Sequence, residues 1–421
     1  MRIAMMGTRG VPATYGGIEH HVEEIGSRLV ERGHEVTVYC RDNYIDLDRP
    51  STSYRGMDLR VMRTAGTKHL DAIVHTALAT TDAMRRGFDV LHYHAVGPAT
   101  LALLPRLGSR KGVVATVHGL DSQRDKWGTR ARTALRGAEW LVGRAPHQTV
   151  VVSQSLRDHF RDTYDRDTVY IQNGVVPGRS EATKVFGELG IRPGRYLLFV
   201  GRLVPEKAPD LLIKAFRQVE TDAHLVLAGG SSFTNGYVAD VRALAAQDPR
   251  VVLPGYVYGR DLQALYTHAT AFVLPSRLEG LPLTLLEAAS YGLPLVASNI
   301  PPHVEVLTSS GPGHRMFPVD QVDALAATLR EVLADPVTER AAARDVRKDV
   351  LRRYAWDAAV DRLEMVYAES LAQRASRLMS VPWRRREEPA PAPASVVVDL
   401  TSRPRKDDRQ SNDNSDRLKA L

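Results

Sequence analysis

Short apolar runs alternate with longer stretches of helical spacing along most of this 421-residue chain, and the series runs twice. Arg2–Met6 reads as a buried strand that ends at Gly7. Residues 18–32 then carry Ile18, Val22, Ile25 and Leu29 on one helical face, and Gly33 stops the helix. Strand-like runs follow at 35–40, 89–93, 113–117, 149–152 and 169–171. Alternating strands and helices of this kind predict a parallel sheet covered on both faces. A Gly- and Pro-rich stretch, 173–195, interrupts the series. Tyr196–Val200 restarts it, with further strands at 225–228, 251–253, Ala271–Leu274 and 295–297. The expected fold class is α/β, with two doubly wound Rossmann-like domains facing a cleft. The expected limits are 1–177 for the first domain and 185–354 for the second. A helix at 355–377 is expected to pack back on the first domain, and 380–421 reads as a disordered tail.

Composition removes several classes of function. The single cysteine, Cys40, allows neither an intramolecular disulfide nor a cysteine-rich metal site. Residues 1–10 lack a secretory h-region, and no run approaches the length of a membrane span, so the expected compartment is the cytoplasm. The net charge of +7 comes without a zinc-finger, RRM or KH signature, so nucleic acid is not an expected partner. Arg124, Lys126, Arg130, Arg132, Arg136 and Arg144 cluster around Trp127 and Trp140. That is the pattern of a basic amphipathic helix on the inner face of an anionic membrane, or of a solvated helix face.

Four segments carry chemistry. In PSRLEGLPLTLLEAASYG (275–292), Glu279 stands on the loop after a strand and Glu287 eight positions later in a helix. Carboxylates accept paired hydroxyls of a sugar or ribose, and the helix start near Gly280 and Leu281 offers backbone N–H groups to a phosphate. In GRLVPEK, Gly201, Arg202 and Lys207 follow the first strand of the second domain, where two cations suit a diphosphate. In the opening loop GTRGVPATYGG, Gly16 and Gly17 permit close backbone approach to an anion. Neither loop is a Walker motif or a dinucleotide fingerprint, which argues against a nicotinamide dehydrogenase. In Thr116-Val117-His118-Gly119, His118 ends a buried strand. His92 and His94 flank Tyr93 with no carboxylate or cysteine nearby, and read as strand residues with one face buried.

Over residues 1–377, and most strongly in GRLVPEK, LPSRLEGLPLTLLEAASYGLPLVAS and the opening loop, the chain resembles the retaining GT-B glycosyltransferases of family 4. The resemblance implies transfer of a hexosyl group from a UDP- or GDP-sugar. Arg202 and Lys207 would hold the diphosphate, Glu279 the sugar hydroxyls, and Glu287 the ribose. Gly280 and Leu281 would face sugar and phosphates, and Gly16 and Gly17 would approach the diphosphate from the first domain. His118 would contact the donor sugar near the reacting carbon, while Tyr256 and Val257 would lie against the base. Asn173 and Tyr15 would stand on the acceptor side. Many members read E-G-F-G where this chain reads Glu279-Gly280-Leu281-Pro282, a variant found among envelope-polysaccharide enzymes of the family. The resemblance also implies a cell-envelope, exopolysaccharide or lipid-linked acceptor. No cofactor and no metal are expected; Asp46-Leu47-Asp48, the one D-x-D considered, lies in an unrelated polar loop. A nucleotide-sugar epimerase or hydrolase, or a non-catalytic nucleotide-sugar-binding protein, are the alternatives.

Overall fold

The alternation is realised as two sheets in a computed structural model that describes residues 1–13, 16–44, 52–64, 71–123, 128–230 and 235–373. The first sheet holds β1 (Arg2–Met6), β2 (Glu35–Arg41), β3 (Ser53–Tyr54), β4 (Met57–Met62), β5 (Val90–His94), β6 (Gly112–Val117), β7 (Gln148–Val151) and β8 (Val169–Tyr170). Their order is β3-β4-β2-β1-β5-β6-β7-β8, parallel except for the short β3–β4 hairpin. The second sheet holds β9 (Tyr196–Val200), β10 (His224–Ala228), β11 (Val251–Gly255), β12 (Ala271–Leu274), β13 (Leu295–Ser298) and β14 (His314–Phe317). It runs β11-β10-β9-β12-β13-β14, all parallel.

The strand sequences explain this. Every residue of β6 and of β12 is buried, so both faces need helical cover, which right-handed crossovers between parallel strands supply. The same holds for β5, which corrects the expectation of one buried face for His92 and His94: all five residues are buried. The helix Gly17–Glu31 turns Val22, Ile25 and Leu29 onto the first sheet, and Gly33 follows it at φ +85°. Strands β4 and β14 escape a reading by apolar runs. Each mixes charged or polar side chains into a partly exposed strand near a sheet edge.

The helix Trp356–Gln373 packs on the first sheet. Val360, Leu363, Val366 and Tyr367 share a core with Ile3, Met5, Val90 and Val114. Two stretches of chain therefore pass between the sheets, and they are tied together. Val175 N–H donates to Tyr354 O (2.9 Å), and Gln172 Nε2 to Arg353 O (2.6 Å). Near this crossing, Glu305 of the second half accepts from Tyr170 Oη (2.7 Å) and from Gln154 N–H (2.9 Å) of the first. Residues 380–421, read above as a disordered tail, lie outside the described residues.

Strand order fixes where ligands can sit. In the first sheet β1 lies between β2 and β5; in the second β9 lies between β10 and β12. At both places the chain reverses the direction in which strands are added, and open α/β sheets bind ligands in the crevice beyond the carboxyl ends there.

Candidate active site

The second sheet supplies two loops, one after β9 and one after β12, whose strands are hydrogen-bonded neighbours. They are locked to each other. Arg277 N–H donates to Glu206 O (2.8 Å) and Arg277 Nη1 to Pro205 O (2.7 Å), while Arg277 Nε reaches Asp320 Oδ1 (2.5 Å). Arg277 thus braces the site, a role not assigned to it from the sequence although it stands inside the PSRLEG motif. The brace brings Lys207 Nζ to 2.5 Å from Glu279 Oε1, across 72 residues of chain. Ser276 Oγ donates to the same carboxylate oxygen (2.7 Å).

Both partners of this ion pair are largely buried, with side chains 15% and 8% exposed. Burial works against the Glu279 charge. The Lys207 ammonium, His303 and the hydrogen bonds from Lys207 and Ser276 outweigh it and hold the carboxyl below its usual range. Behind the loop, Ser298 Oγ donates to Ser276 O (2.5 Å), and His303 Nδ1 lies 2.8 Å from Ser298 O, which fixes the loop from the β13 side. Glu279 is therefore a rigid acceptor with its charge already committed, a poor nucleophile and a good grip. Arg202 is half-exposed, with Nη2 3.6 Å from Glu206 Oε1, and Gly201 N–H is bonded to Ala228 O (3.0 Å).

The helix after this loop begins at Leu283, with Pro282 at its N-cap, two residues later than its expected start. Glu287 lies on it and accepts from Tyr266 Oη (3.0 Å). Burial dominates there and pushes the carboxyl up, with Tyr266 and His20 opposing only in part. Leu281 is buried. Beyond β11, Tyr256 is exposed and stacks on Tyr258 at 5.9 Å, over Gly230, while Val257 packs on the core.

The first half closes over these loops. A Cβ placed on Gly17 would lie 2.9 Å from Leu283 Cδ1, and one on Gly280 would overlap the carbonyl oxygen of His118. At Gly280 the opposing backbones therefore meet only because the position is glycine, while Gly17 leaves room for the Leu283 side chain. His118 is partly buried, and burial, with His21 and His92 nearby, pushes its imidazole well below its ordinary value. Gly16 caps the helix Gly17–Glu31, and Glu19 lies against that end and accepts from Arg9 N–H (3.1 Å). Asn173 is buried, with Oδ1 2.6 Å from His21 Nδ1, so its amide supports a histidine that sequence reasoning had overlooked. Tyr15, Arg124, Lys126, Trp127 and the Asp46–Asp48 stretch lie outside the described residues.

Two family profiles match this chain: glycosyltransferase family 4 over residues 15–179 and glycosyl transferases group 1 over 183–349. Together they span most of it. Among curated proteins, an uncharacterized glycosyltransferase of Methanocaldococcus jannaschii is 26% identical, over 85% of this chain and 95% of its own length. A glycogen synthase of Mycobacterium tuberculosis is 28% identical over 87% of this chain and 94% of its own. Among solved structures, a sucrose-phosphate synthase from Thermosynechococcus elongatus aligns with a TM-score of 0.76 at 21% identity, over 88% of this chain and 99% of that one. The Anabaena protein HepE, solved with UDP-glucose, aligns at 0.71 and 18% identity, over 89% and 100%. The two Rossmann-like domains thus have the GT-B fold.

Proposed function

Because the chain belongs to the group 1, family 4 glycosyltransferases, we propose that it moves a hexosyl group, with retention, from a UDP- or GDP-sugar to a cell-envelope, exopolysaccharide or lipid-linked acceptor. One observation carries the reading. Lys207 and Glu279 meet at the carboxyl ends of β9 and β12, opposite His118 and Gly17 of the other half. Relatives of the chain named as glycogen synthase, α-maltose-1-phosphate synthase and GDP-mannose-dependent mannosyltransferase support a sugar-nucleotide donor. So does the UDP-glucose bound by HepE.

In this reading Lys207 and Arg202 hold the diphosphate, Glu279 accepts from sugar hydroxyls and Glu287 from the ribose. Gly16, Gly17, Gly280 and Leu281 allow backbone to approach the donor. The anomeric carbon–oxygen bond to the β-phosphate breaks while the acceptor oxygen attacks from the same face, and the acceptor's proton passes to the departing diphosphate. Lys207 and Arg202 stabilise the charge that develops on that oxygen. Such a step asks nothing of a metal. Product made in EDTA should carry the donor's anomeric configuration, as read by proton NMR coupling. Inversion, or activity abolished by EDTA and restored by manganese, would overturn the mechanism.

The acceptor side also suggests a place of work. The helix Thr129–Val142 exposes Arg130 and Arg136, and Trp140 is 49% exposed with the Arg144 guanidinium 4.7 Å over its ring. The helix Leu103–Gly108 exposes Leu104 and Leu107 on the same half. No helix among the described residues is long and apolar enough to cross a membrane. A surface of this composition suits peripheral binding, at about 1 kcal/mol for each basic residue near anionic lipid. The protein should float with vesicles of anionic phospholipid at low salt and detach as salt rises. Failure to float at low salt would remove this location.

A further inference from the structure

His21, His94 and His118 come from three separate elements, the helix Gly17–Glu31, the end of β5 and the turn after β6, and converge on the floor of the first half. One nitrogen from each ring lies within 4.8 Å of the others. The closest pair, His94 Nδ1 and His118 Nε2, is 3.2 Å apart. Two imidazoles on one tetrahedral zinc ion, each bonded at about 2.0–2.1 Å, stand about 3.3 Å apart, so this pair is already spaced to share an ion. His21 needs only a small ring movement to join them.

Two further features distinguish the cluster from ordinary core histidines. His21 is buried and its Nδ1 faces Asn173 Oδ1 at 2.6 Å. An amide oxygen can only accept, so Nδ1 carries the proton and Nε2 presents a lone pair. That nitrogen has no hydrogen-bond partner among the described residues. Buried polar atoms without partners are rare, because each forfeits its hydration. A ligand histidine whose second nitrogen donates to a carbonyl is the usual arrangement around bound metal. His92 contrasts with them, since both its nitrogens are engaged, by Tyr367 Oη (2.8 Å) and Thr116 Oγ1 (2.7 Å).

We propose that His21, His94 and His118 form a three-histidine site for a borderline transition ion such as Zn²⁺, with Asn173 orienting His21 and the fourth position open toward the cleft. Only one consequence rests on the function proposed above. An imidazole that binds metal is withdrawn from the donor sugar, so the ion inhibits transfer and is no part of it.

The test uses the full chain without an added histidine tag, stripped with chelator and titrated with Co²⁺. One equivalent should develop the visible bands of a low-coordinate nitrogen site, and Zn²⁺ should displace it one for one. His21→Ala should lose the bands, and Asn173→Ala should weaken Zn²⁺ binding about 10–100-fold, with folding checked by circular dichroism. Zn²⁺ should slow transfer and EDTA restore it. A wild-type protein that develops no bands at one equivalent overturns the site, as does a folded His21→Ala that binds as tightly as wild type. The Co²⁺ bands need no donor, so a failed transferase assay does not touch them.

Discussion

Replacing Lys207 by alanine is expected to lower turnover about 10²–10³-fold, the loss typical of removing one preorganised donor from a developing anion. Substrate KM should change far less, because the donor contacts proposed for Arg202 and Glu287 remain. The same variant bears on stability. Lys207 and Glu279 form a largely buried ion pair, and removing one partner of such a pair strands the other charge at about 3–5 kcal/mol. Lys207→Ala and Glu279→Ala should each lower the melting temperature. The double variant Lys207→Met/Glu279→Gln, which removes both charges and keeps the volume, should regain most of that loss and none of the activity. If activity returned along with stability, the pair would be structural and the diphosphate would be held elsewhere. A steady-state assay and a melting curve on the three proteins settle this.

Gly280→Val should lower kcat/KM by about 10²-fold or more, on the scale of a 1 Å misplacement of catalytic groups. A Cβ at Gly280 overlaps the His118 carbonyl oxygen and would stand 3.2 Å from Gly119 Cα. The collision is with backbone, so no side chain can rotate away. The two halves must separate, and His118 recedes from Lys207 and Glu279. Neither sheet core is disturbed, so the melting temperature should stay near that of the wild type. Gly119→Ala is the control: its added Cβ would meet Gly280 no closer than 3.9 Å, and activity should hold. Equal activity in Gly280→Val would mean that the halves need not approach during transfer.

Much of this was legible in the sequence because burial on both faces leaves unbroken apolar runs. Eleven of the fourteen strands among the described residues could be placed that way, and β1, β9 and β12 to the residue. Strands β4 and β14 could not, because Asp58, Arg60, His314 and Arg315 share them with apolar neighbours. At the site, position after expected strands, together with the family resemblance, made Lys207, Glu279 and Glu287 candidates for gripping a donor. It could not reveal that Lys207 and Glu279 hold each other, which depends on β9 and β12 being neighbours and on the Arg277 brace. Nor could it find His21. His20 and His21 stand in a helix with no metal-ligand spacing to another histidine, and only the packing of that helix onto β5 and β6 brings His21 to His94 and His118. The hydrogen bond between Asn173 Oδ1 and His21 was hidden from the sequence for the same reason.

The most direct measurement is release of nucleoside diphosphate from a panel of UDP- and GDP-sugars, with and without a lipid and glycan extract as acceptor. Release from one donor that depends on the extract, and that falls in Lys207→Ala, is the expected result. Equal release without acceptor would instead mark a hydrolase, and no release or binding with any sugar nucleotide would contradict the assignment of the cleft as a donor site.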